Sequence, residues 1–129
     1  MALELHSGFG IPTILSQTTG INAKSTGTTT LYTVPTGKRA YITEIVFHCT
    51  AATAITVEPT LGVGVAAGEV DIMPSTALTG FTALDKIYRF SPEGTYVSCA
   101  AADAIKVGID TAATGTSMTI EVYLIGFLI

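Results

Sequence analysis

The stretch that ends the chain, Thr116 to Ile129, constrains the fold more than any other part of the sequence. Met118, Ile120 and Val122 alternate with Ser117, Thr119 and Glu121, which is the period of a strand with one dry face and one wet face. From Val122 onward the alternation stops. Tyr123, Leu124, Ile125, Phe127, Leu128 and Ile129 are apolar on both sides of the strand, interrupted only by Gly126. A strand in an antiparallel sandwich usually keeps one polar face, so the second face here needs a cover. A partner subunit would supply one, and the N-terminal part of the same chain is the alternative. The apolar run is far too short to span a bilayer.

The rest of the chain also has the period of strands, and no window has a convincing helical period. Thr28 to Val34 is rich in β-branched and aromatic residues. Pro35-Thr36-Gly37-Lys38 then reads as a tight turn, with proline fixing φ and glycine free to take a positive one. The next strand runs from Arg39 to Thr50. Ala40 and Ile42 share a face, but beyond Thr43-Glu44 the apolar phase moves to Ile45, Phe47 and Cys49, the mark of a β-bulge. Thr53 to Glu58 reads as a short strand and Leu61 to Val65 as another, with Gly62 and Gly64 permitting close packing. A long connection from Ala66 to Thr82 has room for a short strand at Ile72 and Met73. Leu84 to Phe90, Thr95 to Cys99 and the alternating Ile105, Val107, Ile109 complete the set. The pattern predicts an all-β fold: an antiparallel β-sandwich of seven to nine strands, of jelly-roll type.

Residues 1–27 have no sustained period. Leu3, Leu5, Phe9, Ile11, Ile14, Leu15 and Ile21 are spaced irregularly among polar residues and glycines. A disordered tail would not carry so many apolar side chains. The first reading is an extended N-terminal arm over 1–27 that lies along another surface, followed by a β-sandwich domain over 28–129. The second is an N-terminal strand within the same domain. On the first reading, a chain starting near Thr28 stays folded.

Composition narrows the function. Charged residues make up 12% of the 129 residues, against about 25% in a typical soluble domain. Such a surface suits contact with other protein better than free solution. The six Lys and Arg are scattered and the net charge is −4, so direct nucleic-acid binding is not expected. The N-terminus lacks a basic region followed by an apolar run, which points to synthesis and folding in the cytoplasm. Cys49 and Cys99 then read as buried free thiols, with a disulfide open only if their strands meet.

Chemistry is hard to find. His48 falls on the face opposite Ile45 and Phe47 and reads as a surface or interface residue; His6 lies in the arm. No zinc spacing occurs. Glu69 and Asp71 could share one side of a strand, but a calcium site wants more oxygen ligands, and a solvated loop is the simpler reading. The run Gly62 to Gly68 lacks the spacing of a dinucleotide loop. Tyr32, Tyr41, Tyr88 and Tyr96 would form a carbohydrate platform only if the fold brought them together. No catalytic residue, metal ligand or cofactor is implied, and the chain does not read as an enzyme.

The stretch Thr30-Leu31-Tyr32-Thr33-Val34-Pro35-Thr36-Gly37-Lys38-Arg39-Ala40-Tyr41-Ile42-Thr43-Glu44-Ile45, the strand Ala102-Asp103-Ala104-Ile105-Lys106-Val107, and the close Ile120-Glu121-Val122-Tyr123-Leu124-Ile125-Gly126-Phe127-Leu128-Ile129 resemble segments of small jelly-roll virion proteins of tailed bacteriophages. Ala102 stands where those proteins usually have glycine. The resemblance implies a virion structural protein: a capsid decoration (cement) protein, often a homotrimer, bound to the major capsid protein on the capsid surface after assembly in the host cytoplasm. A fibre or tail-associated module that recognises a glycan or protein on the host is the alternative. The interface residues expected on this reading are Leu3, Leu5, Phe9, Ile11 and Ile14 of the arm, reaching the shell or a neighbour. Tyr123, Ile125, Phe127 and Ile129 of the last strand would pack subunits together.

Overall fold

The computed structural model describes residues 11–92 and 97–129. The described residues form nine strands: β1 (Thr13–Asn22), β2 (Gly27–Thr33), β3 (Ala40–Thr53), β4 (Thr60–Gly64), β5 (Met73–Ala77), β6 (Ile87–Phe90), β7 (Val97–Cys99), β8 (Ala104–Thr111) and β9 (Ser117–Leu128). The larger sheet has the order β1-β9-β3-β6, with β7 also paired to β3, and the smaller has the order β2-β8-β4-β5. All pairings are antiparallel.

The pairings nest. β1 takes β9, β2 takes β8, β3 takes β6 and β7, and β4 takes β5. A long antiparallel hairpin rolled up on itself gives this order, and that is the jelly roll. β6 and β7 serve as one edge strand in two pieces, β6 against Ile45 to His48 and β7 against Ala40 to Ile42.

The inner faces supply the core. β3 contributes Ala40, Ile42, Ile45, Phe47 and Cys49, and β9 contributes Met118, Ile120, Val122 and Leu124. Facing them are Leu61 and Val63 of β4 and Ile105, Val107 and Ile109 of β8, with Leu78 and Phe81 from the β5–β6 connection. Burying one such large side chain contributes roughly 1.5–3 kcal/mol, most of which offsets the entropy of ordering the chain.

Several local expectations hold for physical reasons. The Lys38 amide donates to the Pro35 carbonyl at 3.1 Å, and Gly37 has a φ of 78°, as a type II turn requires. The phase shift in β3 is a register shift between Ile42 and Glu44. Ile42 and Ile45 are both 0% exposed, and residues three apart reach the same face of a strand only across an extra residue. The Thr43 hydroxyl donates to the Ile125 carbonyl at 3.1 Å. A second shift falls between Cys49 and Ala51, and there the Thr50 hydroxyl donates to the Thr119 carbonyl at 3.2 Å. Each bulge thus places a threonine hydroxyl on a β9 carbonyl.

Two expectations need correction. The boundary between an arm at 1–27 and a domain starting at 28 does not hold, because residues 13–22 are β1, the edge strand of the larger sheet. Ile21 of β1 is buried in the core, the Ala23 amide donates to the Met118 carbonyl, and the Ala113 amide donates to the Ala23 carbonyl. The domain therefore includes these residues. Residues 1–10, with Leu3, Leu5 and Phe9, lie outside the described residues. The strand expected at Thr53 to Glu58 is not formed either. β3 runs on to Thr53, Ala54 takes a φ of 54°, and only a single bridge joins Val57 to Thr114. A residue in the left-handed region breaks the extended run.

Cys49 and Cys99 are buried free thiols. Cys99 pairs with Ala40 at one end of β3 and Cys49 lies toward the other. Nine residues of strand separate these points by about 30 Å, so no disulfide can join them.

Candidate functional site

Register decides which side chains share a face, since directly opposed residues in an antiparallel pair point the same way. On the outer face of the larger sheet, Ile14 of β1 opposes Ile125 of β9, and Tyr123 lies between Gln17 and Val46. Phe127 opposes Tyr41, and the two rings stack with centroids 5.2 Å apart and planes at 11°. Four of the side chains singled out as interface candidates, Ile14, Tyr123, Ile125 and Phe127, thus lie on one face. Ile14 is 59% exposed, Tyr123 and Ile125 are half-buried, and Phe127 is buried. Ile129, just beyond β9, and Ile11, just before β1, are both exposed. The cover expected for the second face of β9 is not β1, which lies beside β9 in the same sheet rather than across it.

Next to this apolar half lies a polar chain that sequence reasoning did not assemble. His48 of β3 opposes Glu121 of β9. Its Nδ1 is 2.7 Å from Glu121 Oε2, and its Nε2 is 2.9 Å from Asp85 Oδ1 on the bend before β6. Gln17 Nε2 donates to Glu121 Oε1 at 3.0 Å and to the Tyr123 hydroxyl at 3.1 Å, and that hydroxyl donates to Glu121 Oε2 at 3.1 Å. The chain therefore joins β1, β9, β3 and the bend. Farther along, Arg89 of β6 donates to Glu44 of β3 at 3.2 Å.

The electrostatics follow from the contacts. The Glu121 carboxylate, and after it Asp85, raises the His48 pKa above the ordinary imidazole value, against the opposing effect of burial. The same His48 contact, helped by Gln17, lowers the Glu121 pKa. Burial, and then the Glu121 carboxylate, raises that of Tyr123. With a carboxylate on each ring nitrogen, His48 offers no free lone pair to take a proton from a substrate. The arrangement holds charge in place and is not that of a general base.

The other candidates resolve differently. The β4–β5 connection folds back over the smaller sheet. A Cβ at Gly64 would overlap Asp71 Oδ1, one at Gly62 would lie 2.7 Å from the Glu69 carbonyl, and one at Gly108 would lie 2.7 Å from Glu69 Oε1. The close packing read into Gly62 and Gly64 is thus this loop on the sheet. Asp71 Oδ1 accepts from the amides of Val65 and Ala66 at 2.9 and 3.3 Å, so its role is to fasten the loop. The described tyrosines do not form a platform. Tyr88 packs toward the core beside Phe47, with centroids 6.4 Å apart, while Tyr41 is on the outer face, Tyr32 is on the other sheet, and Tyr96 is outside the described residues. A depression of about 190 Å³ at the β1–β2 connection is lined by Ile21, Asn22, Ser25, Thr28 and Ile109 among others, and none of its lining residues carries an acid or a base.

No protein-family model and no curated protein sequence matches the chain. Two phage capsid structures are among the solved structures that share its fold. A chain of the cyanophage Pam1 capsid asymmetric unit is 17% identical with a TM-score of 0.58, over 92% of this chain and 85% of that one. A chain of the acidic stable capsid structure of Helicobacter pylori bacteriophage KHP30 is 11% identical with a TM-score of 0.59, over 94% of this chain and 97% of that one. The jelly roll described above is therefore a fold found in phage capsids.

Proposed function

We propose that the chain is a non-enzymatic structural protein of a phage virion, a decoration protein that binds the major capsid protein on the capsid surface as a homotrimer. The observation that carries this reading is the match of nearly the whole jelly roll to chains of two phage capsids. The low charge density and the half-apolar outer face support it. A repetitive shell offers many equivalent contacts, so modest affinity at each becomes firm attachment. Threefold and quasi-threefold positions suit a closed ring of three subunits. Tyr123 and Ile125, together with Ile14 and Ile129, pack subunits against one another, with Phe127 stacked on Tyr41 beneath them. Leu3, Leu5, Phe9 and Ile11 reach the shell or a neighbour.

The test has two parts. Light scattering of the purified protein is expected to give a mass near three times 13.3 kDa. Ile14→Glu, at an exposed edge position, is expected to lower that mass to one subunit without loss of folding. Sedimentation with shells of the parent phage stripped of this protein is then expected to carry the wild type into the pellet. A chain beginning at Ile11 is expected to stay in the supernatant. A wild type that is monomeric and leaves shells bare would overturn the proposal.

A further inference from the structure

We propose that His48 is a proton-held clamp: as an imidazolium it fastens the Ala83–Lys86 bend to the outer face of the larger sheet, and on losing its proton it lets the bend go. The geometry carries this. Both ring nitrogens meet carboxylate oxygens, Glu121 Oε2 at 2.7 Å and Asp85 Oδ1 at 2.9 Å. A neutral imidazole has one N–H and one lone pair, so on deprotonation one carboxylate faces a lone pair at hydrogen-bond distance. One of the two contacts must then open.

The structure also indicates which one. The Glu121 side chain is 11% exposed, sits on β9 in the interior of the sheet, and is held by Gln17 and Tyr123. The Asp85 side chain is 75% exposed and stands on a bend outside any strand, with a φ of 64° that a non-glycine residue adopts at some cost. The bend is otherwise tied by backbone bonds, the Asp85 amide to the Cys49 carbonyl at 2.8 Å and the Cys49 amide to the Lys86 carbonyl at 2.9 Å. Asp85 is the end that yields. The groups around His48 come from every neighbouring element: Glu121 and Tyr123 on β9, Gln17 on β1, Asp85 and Lys86 on the bend, and Ile87 directly opposite on β6. Arg89 on β6 is paired with Glu44. The clamp is a property of this chain alone and does not rest on the virion reading.

The test is a pH titration of the histidine rings by NMR together with hydrogen exchange, His6→Gln serving to assign the two rings. His48 is expected to titrate above the ordinary imidazole value of about 6.5, and Asp85→Asn and Glu121→Gln are each expected to move it down. The protection factor of the Asp85 amide, corrected for intrinsic exchange, is expected to fall about tenfold as His48 loses its proton. In Asp85→Asn, an exposed change that leaves the core intact, it is expected to be low at both ends of the titration. A His48 titration at or below the ordinary value would overturn the proposal, as would an Asp85 amide equally protected on both sides of it.

Discussion

Gly126 of β9 lies so close to the Tyr41 carbonyl of β3 that a Cβ at position 126 would overlap that oxygen. The atoms in the way are backbone atoms of Tyr41 and Ile42 on the neighbouring interior strand, beside the Ile42–Glu44 bulge, so no flexible group can step aside. Gly126→Ala is therefore expected to cost about 3 kcal/mol, the upper end of ordinary overpacking. At Gly108 the atoms in the way belong to the Glu69 side chain, which can swing away, and Gly108→Ala is expected to cost about 1 kcal/mol or less. Urea titration of the two variants checks the ranking, and equal losses would refute it.

Glu121 gives an acid limb to stability. Its pKa is lowered in the fold, chiefly by His48 and then by Gln17. Its contribution is present above its unfolded value of about 4.3 and is lost as pH falls through the folded pKa. His48, with a raised pKa, acts in the opposite sense: its contribution is present below about 6.5 and is lost as pH rises through the folded value. The pair thus favours mildly acid conditions. Glu121→Gln is expected to lose less stability than wild type between pH 5 and pH 3, measured as the shift in urea midpoint. A wild-type loss no larger than the variant's would count against the pair.

The two thiols are expected to be inert. Burial pushes the Cys99 pKa up to about 11, and burial raises that of Cys49 as well. At pH 8 a thiol with a pKa near 11 is about 0.1% thiolate. Ellman's reagent is expected to find no fast-reacting thiol in the native protein and two in denaturant. Air oxidation is expected to leave the mass unchanged, because the register holds the two sulfurs at opposite ends of β3.

Much of the sandwich was legible because its strands keep their period. Ile105, Val107 and Ile109 alternate cleanly and are buried as read. The bulge at Thr43-Glu44 showed as a change of apolar phase. β1 was harder to read, since register shifts between Ile14 and Ser16 and between Thr18 and Ile21 break the alternation that marks a strand. The first of those shifts puts Ile14 and Gln17, three residues apart, on the same outer face. The polar chain had no local signature at all. His48 is 73 residues from Glu121 and 37 from Asp85, and only the nesting of strands brings them together.

Removal of residues 1–27 now has a different expected outcome from the one the sequence suggests. The shortened chain loses β1, leaves the β9 edge without its ladder, and takes Ile21 and Ala23 out of the core. Loss of a buried isoleucine alone costs about 2–5 kcal/mol, against a total stability of about 5–15 kcal/mol for a domain, and a bare, largely apolar edge invites aggregation. A chain beginning at Thr28 is therefore expected to be unfolded or aggregated, whereas one beginning at Ile11 keeps β1 whole and is expected to melt within about 4 °C of the full chain. Circular dichroism melts of the three lengths decide the matter. A cooperative transition near the full-length temperature in the Thr28 chain would show that β1 is dispensable to the domain and restore the arm.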